Sequence, residues 1–598
     1  MDWKRWMRAL SREKVLCRLI AAWCSFAAVM AVWNLGFWEI TYGQAMGLGA
    51  SALIILFFFG LYTVVSVVLD ATLPTDSWFL LLAATVCACR WILIYDSEAD
   101  RQLMFSLAVF AVYALFVVYF ITQNREILKK WQPGPRTVAI VAALCAVTAC
   151  AVLSTIGSLR YKTFSTPNYD FGLFCNMFHN MKETGLPLVT SERDGLLSHF
   201  AVHISPIYYL LLPFYWVFPS PLTLQIGQAA VIALGIIPAL LLARHYRLSG
   251  KACILIAVIY AFYPVLTTGG FYDIHENCFL PLCLLFTFYF FEKEKYVPMY
   301  LSALCVLAVK EDAAIYLLIF AVYLLLSRKK YLHGGILAAL SLGYFLLATY
   351  LIETVGDGVL SNRFDNLMVD EESGLFGIVK LALVNPGFLL TQLFTTQNGS
   401  WEKISYLLQM LLPVAFLPFC TKRASRWLLI APILINLLSY YTYLYHPGFQ
   451  YHFAVAAFLI YAMIQNLPEL RAPTRQTLLC LGAAACCCLY MGVVMPKLGD
   501  YRQRWEDNGE TYQRMEEILE ELPADASLNV STFLLAHVAD RDEVYEVGYH
   551  GNEPDVDFVV LDIRYSGYEK YANAYLRQGY TVYAEHPGML LILQQGES

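Results

Sequence analysis

The sequence has few charged residues. Lys, Arg, Asp and Glu make up 15% of its 598 residues, whereas an average water-soluble domain carries roughly 25%. Hydrophobic residues make up 59% and aromatic residues 15%. This shortage of charge argues against an ordinary water-soluble enzyme and indicates that lipid is the main solvent. The net charge of −6 and the lack of a basic stripe or recognition motif exclude nucleic acid as a partner.

Paired metal-binding cysteines are also missing. The chain has 16 cysteines but no CxxC spacing, and most lie inside apolar runs, as Cys486, Cys487 and Cys488 do. Such cysteines are typical of small membrane hydrophobes, not of zinc ligands. Cys175 and Cys278, in or beside predicted outer loops, are the exceptions, and a disulfide between them is an alternative. No small-residue cleavage site follows the first apolar run, which therefore predicts a retained first span.

Long apolar runs are abundant. A membrane helix needs about 20 largely apolar residues, because only a closed helix satisfies its own backbone in lipid. Fifteen runs meet or approach this requirement. They lie near residues 15–35, 46–69, 77–96, 103–122, 137–158, 222–243, 252–267, 277–291, 296–309, 313–326, 333–352, 404–420, 427–443, 452–467 and 476–495. The sequence thus predicts a mainly α, polytopic helix bundle.

Basic residues orient this predicted bundle, since cytoplasmic loops keep the excess of Lys and Arg. Residues 4–18 place the N-terminus inside, and residues 125–136 do the same for the loop after four spans. Every later basic loop falls where parity demands a cytoplasmic one: 244–251, 293–295, 328–330, 422–426 and 471–475. This topology leaves 497–598 outside. It also places nine of eleven histidines at the outer face: His179, His199, His203, His275, His446, His452, His537, His550 and His586.

The first large outer loop, 159–221, contains the first candidate catalytic residue, Asp170. It lies among aromatic residues at the predicted membrane edge, where desolvation raises the pKa of a carboxylate and suits it to act as a general base. The alternative is a helix N-cap for the segment that follows. His199 and His203 are four residues apart, so a helix would place them on one face. That spacing allows a metal pair, but no third ligand is specified, and substrate binding is favoured. Residues 206–219 are too few to span and predict an interfacial or re-entrant piece.

Two further outer turns carry charges that are costly at a bilayer edge unless they are paired or face a cavity. One turn contains Asp273, His275 and Glu276. The other contains Lys310, Glu311 and Asp312, where the chain must reverse between two short apolar arms. We therefore predict that both turns face a substrate cavity, although a solvated loop is the alternative for the first.

After the last span the composition changes. Residues 503–523 predict an acidic amphipathic helix, and the rest predicts strands, a helix ended by Gly579, and a terminal hairpin. This pattern indicates a small α/β domain on the extracytoplasmic side. Asp555 and Asp557 imitate a nucleotide-sugar DxD motif, but they open an apolar strand and are interpreted as a strand start.

Several of these pieces occur in a recognisable order: YDFGLF, HFAVHISPIYYLLLPFY, FYDIHE, VKEDAAIY and, near the end, VDFVVLD. In this order they resemble a prokaryotic membrane family known as domain of unknown function 2079. The resemblance covers roughly 140–590. It suggests three parts: a four-span extension (1–134), a transmembrane core (135–496) that includes the outer loop 159–221, and the extracytoplasmic α/β domain (497–598).

That family is itself similar to the C-type glycosyltransferases, which use sugars linked to polyprenyl phosphate. The resemblance implies a membrane transferase of this kind, with Asp170 matching the carboxylate of the first outer loop. Asn176 stands where the family has glutamine, and it joins the predicted substrate-binding set: His199, His203, Asp273, His275, Glu276, Lys310, Glu311 and Asp312. The expected partners are a polyprenyl-phosphate sugar, membrane lipid and an extracytoplasmic glycan or protein acceptor. The sequence specifies no cofactor and leaves a divalent cation open. A transporter or flippase and a non-catalytic scaffold are the alternative functions.

Overall fold

In the described part of the chain, nine helices are long and apolar enough to cross a membrane. They belong to a computed structural model that describes residues 3–33, 47–95, 97–193, 195–356, 362–367, 374–396, 399–549 and 554–596. Within these residues the nine are Arg12–Val32, Leu48–Leu69, Thr75–Ile94, Ala99–Gln123, Pro135–Lys162, Pro221–His245, Gly250–Thr268, Tyr331–Thr354 and Ala472–Glu520. The protein is therefore a mainly α, multi-pass membrane protein, as predicted.

The six other predicted spans contain shorter helices: Leu280–Glu292, Tyr296–Leu307, Ala313–Leu326, Trp401–Leu411, Ala431–Leu438 and Phe453–Asn466. A helix of 14 residues is about 21 Å long, less than the bilayer's apolar core of about 30 Å. All residues of Phe453–Asn466 are buried, so protein surrounds this helix along its whole length. Short helices are tolerated at membrane depth when protein encloses their ends. The count of fifteen spans and the orientation stay predictions.

Two charged side chains inside the N-terminal helices have partners. Arg18 is fully buried, and its guanidinium binds both carboxylate oxygens of Asp76, at 2.8 and 3.1 Å. Arg90 Nε donates to the Ala31 carbonyl at 3.0 Å. Each contact joins helix Arg12–Val32 to helix Thr75–Ile94, one near the start of the first helix and one near its end. These arginines therefore hold helices together inside the bundle.

A close approach between helices requires one glycine. The span Pro221–His245 consists of two helices, Pro221–Leu234 and Ile236–His245, which meet at Gly235. A Cβ on Gly235 would lie 1.7 Å from the hydroxyl of Tyr260. The Tyr260 hydroxyl instead donates to the Ile232 carbonyl at 2.9 Å. Glycine thus allows this helix to pack tightly against helix Gly250–Ala261.

The first outer loop is built from short elements. Helix Leu173–Thr184 is followed by a two-stranded antiparallel ribbon, β1 (Leu188–Val189) and β2 (Leu197–Ser198). The predicted non-spanning piece forms a 3₁₀ turn, Pro206–Leu210, and a short helix, Leu212–Val217. Leu210, Phe214 and Trp216 are exposed on it. It is too short to span and presents apolar side chains outward; its place at the interface stays a prediction.

The remaining helices are short or peripheral: Trp3–Ala9, Arg125–Lys130, Pro264–Thr268, Gly374–Val384 and Pro386–Gln392. Helix Tyr331–Val355 is the full extent of the eighth span.

The C-terminal part forms the predicted α/β domain. Helix Met495–Glu520 leads into a five-stranded sheet of order β4-β3-β5-β7-β6. Its strands are β3 (Leu528–Val530), β4 (Val544–Glu546), β5 (Phe558–Asp562), β6 (Thr581–His586) and β7 (Leu590–Gln594). β3 pairs in parallel with β4 and β5, whereas β7 is antiparallel to β5 and β6. The final hairpin is therefore present.

Two local predictions in this domain agree with the structure. Helix Tyr568–Arg577 ends before Gly579, which has φ +100°. Asp557 accepts hydrogen bonds from the amide and hydroxyl of Ser527, both at 2.8 Å, and so fastens the start of β5. The predicted boundary at 496/497 falls within a helical run that is continuous from Ala472 to Glu520; the three domain boundaries stay predictions.

Candidate functional site

A polar cavity of about 200 Å³ lies where the first predicted outer loop meets five other segments. Five predicted site residues line it: Asp170, His199, His203, His275 and Lys310. We call it the Asp170 cavity. Its wall also includes Asn168, Tyr169, Ser191, Glu192, Arg193, Tyr272, Arg363, Tyr441, Tyr443, Gln450, Tyr451 and Tyr549. Residues far apart in sequence thus converge on one site.

Asp170 stands in a strained turn. Its φ of +78° and ψ of −69° are those of a γ-turn, a conformation that non-glycine residues rarely adopt and that costs about 1–3 kcal/mol. Surrounding structure must hold such a turn in place. The N-cap alternative is wrong, because helix Leu173–Thr184 is preceded by Gly172 and has no side-chain cap.

The C-terminal domain supplies this support. The Asn168 amide N–H donates to Thr532 Oγ1 at 3.1 Å, and its side-chain nitrogen donates to Glu546 Oε2 at 2.8 Å. A Cβ on Gly172 would lie 2.9 Å from a methyl group of Leu535. Residues on both sides of Asp170 are therefore fixed by the domain that follows the last span.

The surroundings of Asp170 favour its protonated form. Burial, and next the negative charge of Glu276, raise the pKa of Asp170 to about 7. Within the described part of the chain, no hydrogen bond or ion pair engages its carboxylate. A carboxylate with a pKa near the working pH can accept a proton from a substrate and release it again.

Lys310 is the buried cation of this cavity. Its ammonium lies 3.1 Å from Glu276 Oε1, and both side chains are at most 3% exposed. The Tyr208 hydroxyl donates to the other Glu276 oxygen at 2.8 Å. Burial opposes the charge of Lys310, but the carboxylates of Glu276, Glu311 and Asp312 together outweigh it and raise the pKa of Lys310. Lys310 therefore stays charged beside the cavity, and its three N–H donors are not all used by one carboxylate.

The three histidines differ in charge. Burial lowers the pKa of His275 to about 3, so it is neutral at pH 7. Burial also lowers the pKa of His203, although its Nδ1 is 2.9 Å from Glu311. For His199 burial is outweighed by Glu192, whose carboxylate is 3.0 Å from Nδ1, and the pKa is raised. His199 is thus the histidine best suited to carry positive charge.

The metal-pair alternative for His199 and His203 does not match this geometry. His199 begins a 3₁₀ turn, and the two rings lie 6.0 Å apart, each bound to a different carboxylate. In the part of the chain that the structure describes, no group of three or more His, Cys, Asp or Glu side chains is arranged to hold a metal ion.

Four predicted binding residues support the site without lining the cavity. Glu276 binds Lys310, and Glu311 accepts from His203 and from the Ile204 amide, the latter at 3.2 Å. Asp273 is paired with Arg160 at 3.1 Å and accepts from Gln225 at 2.8 Å. Asp312 directly precedes helix Ala313–Leu326. The geometry therefore does not favour direct contact between these four residues and a substrate.

Asn176 requires a correction. It is fully buried and lies outside the cavity wall. Its amide nitrogen donates to the carbonyls of Ala539 and Arg541, at 3.2 and 2.9 Å, and its oxygen accepts from the Thr190 amide at 3.1 Å. A side chain with these partners joins the outer loop to the C-terminal domain. The disulfide alternative is also wrong: Cys175 and Cys278 are free and buried.

Sequence reasoning missed several residues of the wall. Glu192 and Arg193 lie in the first predicted outer loop, and Arg363 lies in the segment after helix Tyr331–Val355. Their charge was the only signal in the sequence that could have indicated a role in the site. Arg363 lies over the rings of Tyr441 and Tyr451, 5.6 and 5.1 Å from their centroids. Tyr549 was hidden because it belongs to the C-terminal domain. His550, Asp194 and the side chain of Asp365 lie outside the described residues.

The fold and site together define a multi-pass membrane protein with a polar cavity covered by an α/β domain. The family model for predicted membrane proteins of DUF2079 matches residues 160–591, and the chain belongs to this family. A search of curated proteins found no match. Similar solved structures include ArnT from Cupriavidus metallidurans, bound to undecaprenyl phosphate and in the apo state. Each is 12% identical with a TM-score of 0.46, covering 77% of this chain and 99% of that chain.

Proposed function

We propose that the protein transfers a sugar from a polyprenyl-phosphate donor to an extracytoplasmic acceptor, with Asp170 as the base. The observation that carries this proposal is the Asp170 cavity, which combines a carboxylate of pKa about 7 with buried cationic side chains. A base and a site for a departing anion are the two elements that glycosyl transfer to a hydroxyl needs. The motif resemblance described above points to the same chemistry.

In the proposed step, the Asp170 carboxylate takes the proton of the acceptor hydroxyl. The acceptor oxygen forms a bond to the anomeric carbon while the bond from that carbon to the phosphate oxygen breaks. The electron pair leaves with the polyprenyl phosphate, and the configuration at the anomeric carbon inverts. The proton remains on Asp170 until it is released to water.

The leaving phosphate needs positive partners. Lys310 and Arg363 both line the cavity, and Lys310 is 2% exposed. In a site of low dielectric, such fixed cations stabilise developing negative charge more than they would in water. His199, whose pKa is raised, is the third candidate. We assign Lys310 and Arg363 to binding of the leaving phosphate, with His199 as a further cation beside it.

Unpartnered polar atoms support a polar ligand. Asn168 Oδ1, Ser191 Oγ, His199 Nε2 and Gln450 Oε1 are buried and have no hydrogen-bond partner among the described residues. All four residues line the Asp170 cavity. Buried polar groups are costly without partners, and sugar hydroxyls or phosphate oxygens would supply them. The tyrosines of the wall offer flat faces for a sugar ring.

The predicted topology fits a lipid-linked donor. It places the Asp170 cavity at the extracytoplasmic edge of the bilayer, where such a donor enters sideways from the leaflet. Nucleotide sugars are not expected on that side. The apolar piece that includes Phe214 and Trp216 would brace the lipid chain.

The test is transfer from radiolabelled polyprenyl-phosphate sugars by membranes with and without the protein. Asp170→Asn should abolish transfer, with a loss of at least about 100-fold, as expected for removal of a general base. Asparagine tolerates positive φ better than most residues, so this variant should fold and insert normally. The matched control is Asp542→Asn, a carboxylate that is 94% exposed.

Three results would contradict the proposal. Full activity in Asp170→Asn would exclude its role as the base. Movement of the labelled lipid between leaflets without transfer would indicate a flippase. Binding of the lipid without either activity would indicate a scaffold.

A further inference from the structure

A second cavity, of about 600 Å³, lies at the opposite end of the bundle. It is lined by the end of helix Ala99–Gln123, helix Arg125–Lys130, and the beginnings of helices Gly250–Ala261 and Ala472–Leu489. Helix Pro135–Lys162 begins beside it, since a Cβ on Gly250 would lie 2.2 Å from the Pro133 carbonyl oxygen. The same helix ends close to the turn of Asp170. At 1.5 Å per residue its 28 residues extend about 42 Å. We call this second site the Lys251 cavity.

Positive charge dominates the wall of the Lys251 cavity. Arg125, Lys129, Lys251 and Arg475 line it, against one carboxylate, Glu126. Considering only described residues, none of these four cations takes part in an ion pair. Like charges gathered at one place repel one another unless an anion joins them. The wall is therefore electrostatically suited to an anionic ligand.

Lys251 is the most enclosed of the four cations, with 9% exposure. Its ammonium donates to the Leu128 carbonyl, which ties helix Gly250–Ala261 to helix Arg125–Lys130 itself. Two N–H donors remain for a ligand. Two helix N-termini also face this region, at Gly250 and Ala472, and each adds partial positive charge. Lys251 thus sits in a fixed position, unlike a freely rotating surface lysine.

The rest of the wall is mainly apolar, interspersed with uncharged polar side chains such as Gln132 and Gln476. Ile121, Leu128, Leu255 and Leu479 line it together with Ala252 and Pro473. A free phosphate ion would satisfy the cations but leave this surface without a partner. A molecule with an anionic head and an apolar tail matches both parts.

We propose that the Lys251 cavity binds an anionic phospholipid, with its phosphate among Arg125, Lys129, Lys251 and Arg475. In the predicted topology these residues lie on the cytoplasmic side, where basic pockets between membrane helices hold anionic headgroups. The general excess of Lys and Arg in cytoplasmic loops explains the number of basic residues on this side. It does not explain why three separate loops converge on one apolar-walled cavity. Lys130, Arg136 and Arg247 belong to the same loops and lie outside that wall.

The test measures binding of fluorescent phosphatidylglycerol to the full-length protein in neutral detergent. Unlabelled phosphatidylglycerol, phosphatidylcholine and inorganic phosphate serve as competitors. The cavity variant carries Arg125→Gln, Lys129→Gln and Arg475→Gln. Each cation near an anionic lipid surface contributes enough for roughly a five- to tenfold change in affinity, so the triple variant should bind roughly 100-fold more weakly. Lys251 is left unchanged to preserve its contact with Leu128.

The matched control carries Lys130→Gln, Arg136→Gln and Arg247→Gln, the same change in charge outside the cavity. Retained affinity in this control, with unlabelled phosphatidylglycerol as the effective competitor, supports the proposal. Equal loss in both variants overturns it in favour of unspecific attraction, and equal competition by phosphatidylcholine overturns the charge argument. Competition by inorganic phosphate as strong as by the lipid assigns the site to a free anion. Because no step of this test uses catalysis, its result is independent of the proposed transferase activity.

Discussion

The two cavities treat charge in opposite ways. In the Asp170 cavity two of the cations are held in ion pairs: Lys310 with Glu276, and His199 with Glu192. In the Lys251 cavity the cations have no carboxylate partners among the described residues. Buried charges need partners to be stable, whereas cations close to water keep their solvation and remain free to attract a ligand. The comparison thus separates the proposed reaction site, with its buried ion pairs, from the proposed binding site for an anionic lipid.

The largest expected effect comes from breaking a pair in the Asp170 cavity. Glu276→Gln leaves Lys310 buried without its carboxylate, and removal of one partner of a buried pair costs about 3–5 kcal/mol. We expect a clearly lower unfolding midpoint in detergent. Glu294→Gln, at a carboxylate that is 66% exposed and paired with Lys330, is the control and should change stability little. If both variants were equally stable, the ion pair of Lys310 and Glu276 would not contribute to stability as a buried pair should.

The next effect concerns pH. The pKa of Asp170 is raised to about 7 by burial and Glu276, and a base acts only when deprotonated. Transfer should therefore rise with pH up to about 7 and level off above it. Below this value the rate should fall about tenfold per pH unit, since a single protonation inactivates the base. A profile that is flat between pH 5 and 8 would remove Asp170 from the role of base.

A smaller effect is expected from loosening the support of the Asp170 turn. Thr532→Val removes the hydroxyl that accepts the Asn168 amide N–H at 3.1 Å. A hydrogen bond of this kind contributes about 1 kcal/mol, so the transfer rate should fall about fivefold while donor binding is retained. Thr581→Val, at an exposed position of β6, is the control. A loss of donor binding as large as the loss of rate would contradict a positioning role.

The smallest effect is expected at the Lys251 cavity. Because Lys129 is exposed and forms no ion pair within the described residues, Lys129→Gln should change stability by less than about 0.5 kcal/mol. The comparison with Glu276→Gln is the informative one, measured in the same thermal assay. A strong destabilisation by Lys129→Gln would mean that the two cavities do not differ as described.

Much of this arrangement follows from the sequence. Apolar runs predicted the nine long helices of the described residues, and Asp170, His199, His275 and Lys310, from three predicted outer segments, line one cavity. The helices could be predicted because span length is a local property that lipid imposes directly. The orientation inferred from loop charge stays a prediction. The α/β domain was recognisable for a similar reason, since its strands and turns have short periodicities.

Contacts between distant segments could not be predicted in the same way. Arg160 pairs with Asp273 across 113 positions, the difference between their numbers, and no local pattern connects them. For Asn176 the prediction was of the wrong contact. The resemblance suggested that it binds substrate, whereas its side-chain nitrogen donates to the carbonyls of Ala539 and Arg541. Which polar side chain faces a cavity and which joins two domains depends on packing that only the folded chain defines.

The hydrogen bond between Asn168 and Thr532 has a consequence for biosynthesis. Thr532 follows Asn168 by 364 positions, so all nine long helices of the described residues are synthesised before Thr532 is reached. The turn of Asp170 lacks this support until the C-terminal sheet has folded. The Asp170 cavity is therefore completed last, and a chain that stops before β3 would contain its long helices and still leave Asp170 unsupported. For the proposed transferase, this order means that a nascent chain does not act before it is whole.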